Sequence, residues 1–397
     1  MKCTTSPAAN ADLDVSLIDL TSLLRRLQTL TDSRCPRGLR YALAPVLLLV
    51  VLAKLSGQDR PSGIADWIES RGQLLGEALH LGWSRMPHHN TYRRVFEDEV
   101  RPDELDQIVA EHLQNLEGVG HSTLISIDGK TVRGTIDAAN PHGDHLLAAY
   151  LPEEGIVLMQ MAAGNKENEI SVAPKLLKCL DLRGKVVAGD AMHTQRSLSA
   201  QILAAGGDYL WFVKDNQPAM RADIEDLFTA DDRTVEGGCV PNDFRTYRRV
   251  DKGHGRRESR EITVSGELKG YSDWPGLEQV FKLERCRLDI KTGKEERDTF
   301  YGLTSLSVTE ASPKRLLHLS RAYWGIENGL HLRRDVTFSE DRTRLTRGHA
   351  GRVMASLNNL VIGLLRHAGA NNIAAARRWC DANYTLALKS LPAHSLT

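Results

Sequence analysis

Asp128 and Asp190 are the residues of this 397-residue chain whose settings point first to chemistry. Each closes a short apolar run: Thr123-Leu-Ile-Ser-Ile-Asp128, stopped by Gly129, and Lys185-Val-Val-Ala-Gly-Asp190. A carboxylate at the end of a buried strand is costly unless a metal ion, a basic partner or the sheet edge relieves its desolvation. Two such acids on neighbouring strands make hard oxygen ligands, and Mg²⁺ commonly takes one or two carboxylates while keeping waters and substrate phosphate. Such a pair would suit a site where a metal ion meets a phosphate. An Asp ahead of Gly is also an ordinary turn residue, so neither acid alone carries that reading.

A third acid has to come from a helix that returns later in the chain. Glu327 lies in Arg321-Ala-Tyr-Trp-Gly-Ile-Glu-Asn-Gly-Leu-His331. On an α-helix, positions 320, 323, 324, 327, 331 and 334 share one face. That spacing groups Tyr323, Glu327, His331 and Arg334, with Glu on metal and Arg and His on phosphate oxygens. The plainer reading is a Glu327–His331 pair on an ordinary helix. Asp335, Glu340 and Asp341 compete as the third acid.

From Phe244 to Arg260 the chain carries Arg245, Arg248, Arg249, Lys252, Arg256, Arg257 and Arg260 around a Gly-His-Gly turn. This reads as a β-hairpin that can lie along a phosphate backbone, giving affinity without sequence information. Arg342, Arg344 and Arg347 form a shorter basic run. Both runs could equally be solvated faces.

The elements that must position these residues follow from apolar periodicity. A short helix is expected within Leu13–Leu30. Helical spacing then fills Arg40 to Leu116, with helices over Ala42–Leu55, Gly63–Ser70, Leu74–Leu81, Thr91–Glu97 and Asp103–Leu116. The period next changes to strands at Thr123–Asp128, His145–Leu151 and Gly155–Ala162, the last two joined by a Pro152-Glu-Glu-Gly155 turn. Helices at Glu169–Leu180, Thr194–Ala205 and Pro218–Phe228 alternate with strands at Lys185–Asp190 and Asp208–Val213. This β-β-β-α-β-α-β-α order is that of an RNase H-like α/β core, in which the first and fourth strands are neighbours. Strands at Asp243–Val250, Arg256–Val264, Gln279–Asp289 and Arg297–Leu303 form a β-rich insertion at about 235–305. Helices return over Lys314–Leu332 and Ala350–His367.

Composition sets the outer bounds. With 41% hydrophobic and 26% charged residues the chain is globular rather than disordered or collagen-like. Six scattered cysteines without a CxxC pair argue against a disulfide framework or structural zinc and fit a reducing cytosol. No signal-peptide pattern opens the chain, and the longest apolar run, Ala42–Ala53, is too short to span a membrane and stops at Lys54. The formal net charge of zero hides an asymmetry: residues 1–120 and 121–240 are acidic, with 13 Lys+Arg against 16 Asp+Glu and 11 against 17. Residues 241–397 carry 27 against 18, which suggests an anionic partner, nucleic acid first. No GxxxxGK[ST] phosphate loop is found.

Five long motifs in order resemble the ISAs-type insertion-sequence transposases, a group that includes the H-repeat-associated proteins. They are Ile125-Ser-Ile-Asp-Gly-Lys-Thr-Val-Arg-Gly134, Gly189-Asp-Ala-Met-His-Thr-Gln195, Tyr209-Leu-Trp-Phe-Val-Lys-Asp-Asn-Gln-Pro218, Lys252-Gly-His-Gly-Arg-Arg-Glu-Ser-Arg260 and Tyr323-Trp-Gly-Ile-Glu-Asn-Gly-Leu-His331. Asp335-Val-Thr-Phe-Ser-Glu-Asp341 and Asn168-Glu-Ile170 extend the match, which covers about residues 36–368. The resemblance implies a DDE transposase that binds element ends and performs metal-dependent DNA cleavage and strand transfer. Its catalytic, metal-holding acids would be Asp128, Asp190 and Glu327, with two Mg²⁺ ions or Mn²⁺ in their place. DNA contacts are expected from Lys130, Arg133, His193, Lys214, Arg248, Arg249, Lys252, His254, Arg256, Arg257, Arg260, Tyr323, His331 and Arg334.

The implied organisation is a partly flexible segment 1–36, an all-α transposase-associated domain 37–118, an RNase H-like catalytic domain 119–368 and a tail 369–397. The implied partners are double-stranded DNA of element ends and target, and a second copy of the chain in a homodimer or larger assembly, with no membrane. The implied place is the bacterial cytoplasm, at the nucleoid. The group usually has His-Trp ahead of the Ile-Glu-Asn and Trp after the Leu-His; here these positions hold Tyr323-Trp324 and Leu332. The wider superfamily's Tyr, Arg, Glu, Lys signature reads Ser320, Tyr323, Glu327 and Arg334. A nuclease that only hydrolyses DNA, or a silent DNA-binding relic, are the rival readings.

Overall fold

The computed structural model describes residues 13–164, 168–229, 243–253 and 255–388. Helices α1 (Leu20–Leu27), α2 (Leu43–Leu55), α3 (Pro61–Ser70), α4 (Gly72–Ala78), α5 (His89–Arg94) and α6 (Pro102–Gln114) come first. Strands β1 (Leu124–Val132), β2 (Asp144–Leu151) and β3 (Ile156–Ala163) follow, then α7 (Glu169–Lys178), β4 (Val186–Gly189), α8 (Arg196–Ala204), β5 (Asp208–Val213) and α9 (Pro218–Thr229). Next come β6 (Arg245–Gly253), β7 (Arg256–Ser265), β8 (Gln279–Asp289) and β9 (Glu295–Thr304), and the helices α10 (Pro313–Tyr323), α11 (Ala350–His367), α12 (Ile373–Ala382) and α13 (Tyr384–Leu388). The result is a mixed α/β protein with a nine-stranded sheet in the order β3-β2-β1-β4-β5-β9-β8-β7-β6. Among the described residues no helix is long and apolar enough to cross a membrane.

Contacts divide the chain into two compact units. One comprises Met1–His121, Gly129–Lys166 and Ile326–Thr397; the other comprises Ser122–Asp128 and Glu167–Gly325.

The first unit is built on two apolar helices. In α2 every residue except Pro45 is buried, and α11 is buried from Val353 to Leu365. Pro45 sits in the first turn, where its missing N–H is no loss. Each fully buried Leu or Val stabilises by about 1.5–3 kcal/mol, so this all-round apolar pattern makes α2 a central helix. The apolar run does not stop at Lys54. That residue is fully buried inside α2, with Nζ 3.2 Å from Asp59 and 5.3 Å above the Phe338 ring. Burial pulls the Lys54 pKa down, against the attraction of Asp59. In the expected tail, α12 supplies Arg377, which donates to the Lys54 carbonyl and to Asp59.

The second unit holds the parallel strands. The N-terminal half of β1 pairs with β4 in parallel, from Leu124↔Val186 to Ile127↔Gly189. Strand β4 pairs with β5 in parallel, and β5 with β9 antiparallel, Leu210↔Thr304 to Val213↔Tyr301. The β-rich stretch is thus a four-strand antiparallel meander hydrogen-bonded onto β5 through β9. Leu316, Leu317, Leu319 and Tyr323 of α10 pack with Leu210, Phe212, Ile262 and Phe281 in this unit's core.

Two expectations are corrected. Gly129 does not end β1, which continues to Val132 with Lys130 and Val132 buried. The returning helix does not run to Leu332: α10 ends at Tyr323, and the chain proceeds through two π-helical turns, Glu327–His331 and Arg333–Thr337. The i, i+4 face that would align Tyr323, Glu327, His331 and Arg334 therefore does not form.

Candidate active site

In the second unit, Ile127 and Gly189 are partners across adjacent parallel strands. Asp128 and Asp190 are the next residues of those strands, so both carboxylates stand at one level on neighbouring strands. Gly189 is required where it stands. A Cβ there would lie 2.9 Å from Ile127 Cγ1 and 3.0 Å from His193 Cδ2.

The turn after Asp190 is anchored from several sides. Its carbonyl accepts from the His193 N–H at 2.9 Å. Asn216 Nδ2 donates to the Ala191 carbonyl at 2.6 Å, and Gln217 Nε2 to the Thr194 carbonyl at 2.9 Å. Thr194 Oγ1 donates to the Phe212 carbonyl at 2.7 Å. Sequence reasoning placed no role on Thr194, Asn216 or Gln217. Their signal is a polar Asp215-Asn-Gln217 run directly behind an apolar strand, where side-chain amides can reach a neighbouring turn.

Lys214, at the end of β5, places its ammonium 3.0 Å from Asp190 Oδ1, and both side chains are about half exposed. His193 is wholly buried, with Nε2 3.1 Å from Glu169 Oε2. Glu169 opens α7, which is held by an Asn168–Ser171 capping box. His193, expected to touch DNA, thus has its imidazole in the interior beside Glu169.

In the first unit, Glu327 is exposed at the start of its π turn, and among the described residues it has no basic partner in an ion pair. Its carboxylate and the buried His331 offer ligand atoms within 4.8 Å of one another. Gly329 lets this turn close on β2, since a Cβ would lie 2.3 Å from the Tyr150 hydroxyl. π-Helical turns of this kind recur at functional sites.

The competing acids are neutralised by cations. Asp335, Glu340 and Asp341 lie within 4.8 Å of one another. Lys130 Nζ is 2.5 Å from Asp335 and 3.7 Å from Asp341. Arg334 is 1% exposed and holds Glu340 with donors at 2.8–3.0 Å, while Asn358 Nδ2 donates at 2.8 Å. Burial would raise the Glu340 pKa, but the Arg334 charge and these hydrogen bonds hold it below the usual value. Lys130, Arg334 and His331, all expected to contact DNA, are therefore interior groups here. Arg133 is largely exposed, with its backbone N–H on Asp341 at 3.1 Å. Tyr323 is also buried, packed on Phe212 in the second unit.

The basic hairpin is less free than its composition suggests. Arg248 pairs with Glu261, Arg249 with Asp251, and Arg260 with both Asp251 and Glu258. Lys252, Arg256 and Arg257, near the tip, are exposed and without ion pairs among the described residues. His254 lies outside the described residues.

Comparison with known proteins covers the same stretch of the chain. The Transposase DDE domain model matches residues 120–364, and the DDE_Tnp_1-associated model matches residues 24–113. The chain is 29% identical to YncI of Escherichia coli O157:H7 over 360 residues, 88% of each chain. It is 27% identical to the H repeat-associated protein YhhI of Escherichia coli (strain K12) over 355 residues, 88% of this chain and 91% of the other. With the H repeat-associated protein YbfD of the same strain it shares 28% over 244 residues, 61% and 93%. All three bear candidate-transposase names. With most of its length matched by that model, the chain belongs to the family of transposases built on the DDE domain.

Proposed function

We propose that this chain is a DNA transposase that binds the ends of its insertion sequence, cuts there, and joins the freed 3′ ends to target DNA. The reading takes β3-β2-β1-β4-β5 as an RNase H-like core and α2–α6 as an end-binding helical domain. Asp128, Asp190 and Glu327 act together as the acids. The observation that carries it is the register of β1 and β4, which sets Asp128 and Asp190 side by side at the ends of the Ile127–Gly189 pair.

The donor set fits a hard divalent ion, since all three are carboxylate oxygens. A cation already rests on Asp190, the Lys214 ammonium. Asp128, Asp190 and Glu327 would hold Mg²⁺, with Mn²⁺ an acceptable substitute. When bound, two such ions activate the attacking oxygen and stabilise the leaving one.

The chain's own residues do the remainder. Asn216, Gln217 and the His193–Glu169 pair hold the turn that aims Asp190. Lys252, Arg256 and Arg257, at the hairpin tip, grip phosphates elsewhere along the duplex. In the first reaction a water oxygen bonds to phosphorus and the element's 3′ oxygen leaves with a proton. In the second, that 3′ hydroxyl attacks a target phosphodiester and displaces the target's 3′ oxygen. One phosphodiester is exchanged for another, so no nucleoside triphosphate is consumed. Because two ends must be joined, the working form is a homodimer or larger assembly on DNA, in the bacterial cytoplasm.

The test uses purified protein, duplex DNA carrying the element's own flanking ends, a target plasmid, and Mg²⁺ or Mn²⁺. Asp190→Asn is the control. Metal-dependent 3′ cleavage and plasmid joining, both lost in the variant, are expected. Cleavage without joining makes the protein a hydrolytic nuclease, and binding without cleavage makes it a relic.

A further inference from the structure

Six arginines that the catalytic reading does not use converge in the first unit. Arg60 caps α3, Arg93 and Arg94 lie in the last turn of α5, and Arg342, Arg344 and Arg347 belong to the segment that leads into α11. Together they line one open cleft of about 870 Å³. All six are exposed, and none has a carboxylate within ion-pair distance among the described residues. Elsewhere in this unit Arg26, Arg71, Arg101, Arg352 and Arg377 each hold an acid, while Arg25, Arg37, Arg40 and Arg85 are exposed and unpaired among the described residues but do not line this cleft. Among the described residues Glu97 is the one carboxylate lining the cleft, and it pairs with none of the six.

Like charges gathered without counter-ions repel one another, so the arrangement persists only because the backbone imposes it. The Leu345 N–H donates to the Gly134 carbonyl at 2.9 Å, and the His349 N–H to the Glu97 carbonyl at 2.9 Å. At Gly134 a Cβ would lie 2.3 Å from the Thr343 carbonyl oxygen. At Gly348, with φ +50°, it would lie 2.0 Å from the Glu97 oxygen. Glycine at both ends lets the arginine segment be stitched to the turn after β1 and to the π turn Val95–Glu99. The cleft is a built feature rather than an accident of long side chains.

The lining also says what enters. Ser62, Asn90, Thr343 and Thr346 add neutral hydrogen-bonding groups, and Arg with Ser, Thr and Asn is the donor set that meets phosphate oxygens. Among the described residues no aromatic ring lines the cleft, whereas grooves for single strands pair basic charge with aromatic stacking platforms. We propose that this arginine cleft binds the phosphate backbone of duplex DNA, as an anchoring site separate from the hairpin tip. The inference rests on the transposase reading, and the experiment separates their failures.

The full chain is titrated against a fluorescein-labelled duplex by anisotropy over a range of NaCl concentrations, without divalent metal. R93A/R94A and R344A/R347A are each expected to weaken binding roughly tenfold and to lower the salt slope by about 2, one phosphate contact per arginine. R344K/R347K, which keeps the charge, should retain most of the slope. Unchanged affinity and slope in both alanine pairs, with wild-type protein binding, overturns the cleft and leaves the transposase reading standing. No binding by wild-type protein overturns both. Tighter binding to the single strand of the same length overturns the duplex assignment.

Discussion

The ammonium of Lys214 sits 3.0 Å from Oδ1 of Asp190, and the two residues leave the parallel strands β5 and β4 at the same end. A lysine in this position satisfies a carboxylate that the fold brings to the end of a buried strand. It also competes with any divalent ion for the same oxygen.

Lys214→Met therefore separates a structural pair from a metal stand-in. Both partners are about half exposed, so the pair contributes no more than about 1 kcal/mol and the urea midpoint should barely move. Relieving a competitor of that size should lower the Mn²⁺ concentration for half-saturation by about fivefold. Water-proton relaxation of Mn²⁺ reads this directly. An unchanged or higher Mn²⁺ requirement would count against Asp190 as a metal ligand.

The closeness of Gly329 to Tyr150 gives a test of how the Glu327 turn is held. A methyl at position 329 would meet the Tyr150 hydroxyl at 2.3 Å, with the ring carbon Cζ at 3.1 Å. Gly329→Ala should cost about 1–3 kcal/mol through overpacking and shift the turn. Adding Tyr150→Phe removes the atom that clashes first, so the double variant should regain much of the stability and of the DNA cleavage. Thermal unfolding and cleavage assays on both variants check this. A double variant no better than the single one would mean that the turn is not seated on Tyr150.

Much of this architecture is legible in the chain because local signals agree with it. Strand β5 and β8 and helix α11 fall where apolar runs and turn residues put them, at Asp208–Val213, Gln279–Asp289 and Ala350–His367. The adjacency of β1 and β4 follows from the element order. What stays hidden depends on partners far away in sequence. Lys130 looks like a surface cation until Asp335 and Asp341 meet it, and Arg334 looks like a phosphate ligand until Glu340 and Asn358 bury it. Helical spacing continues through Glu327–Thr337, so nothing local announces the π turns that rotate these side chains. The cleft arginines are hidden for the same reason: Arg93 and Arg344 become neighbours of one cleft only through backbone bonds from Leu345 and His349.

Asp106 makes stability depend on pH. It is buried on α6, accepts from Ser356 Oγ at 2.5 Å and Gln160 Nε2 at 3.1 Å, and lies 3.9 Å from Arg352. Burial pushes its pKa up to about 7, against the hydrogen bond from Ser356 and the charge of Arg352. The folded state thus holds a proton that the unfolded chain releases near pH 4, so stability is higher at low pH and falls as pH rises from about 4 to about 7. A shift of this size corresponds to on the order of 4 kcal/mol, of which roughly 3 kcal/mol lies between pH 5 and 8. Asp106→Asn keeps an acceptor for Ser356 or Gln160 but cannot ionise. Urea unfolding of both proteins at pH 5 and 8 should show the wild type losing stability relative to the variant as pH rises. Parallel losses in the two proteins would mean that Asp106 enters the fold already ionised.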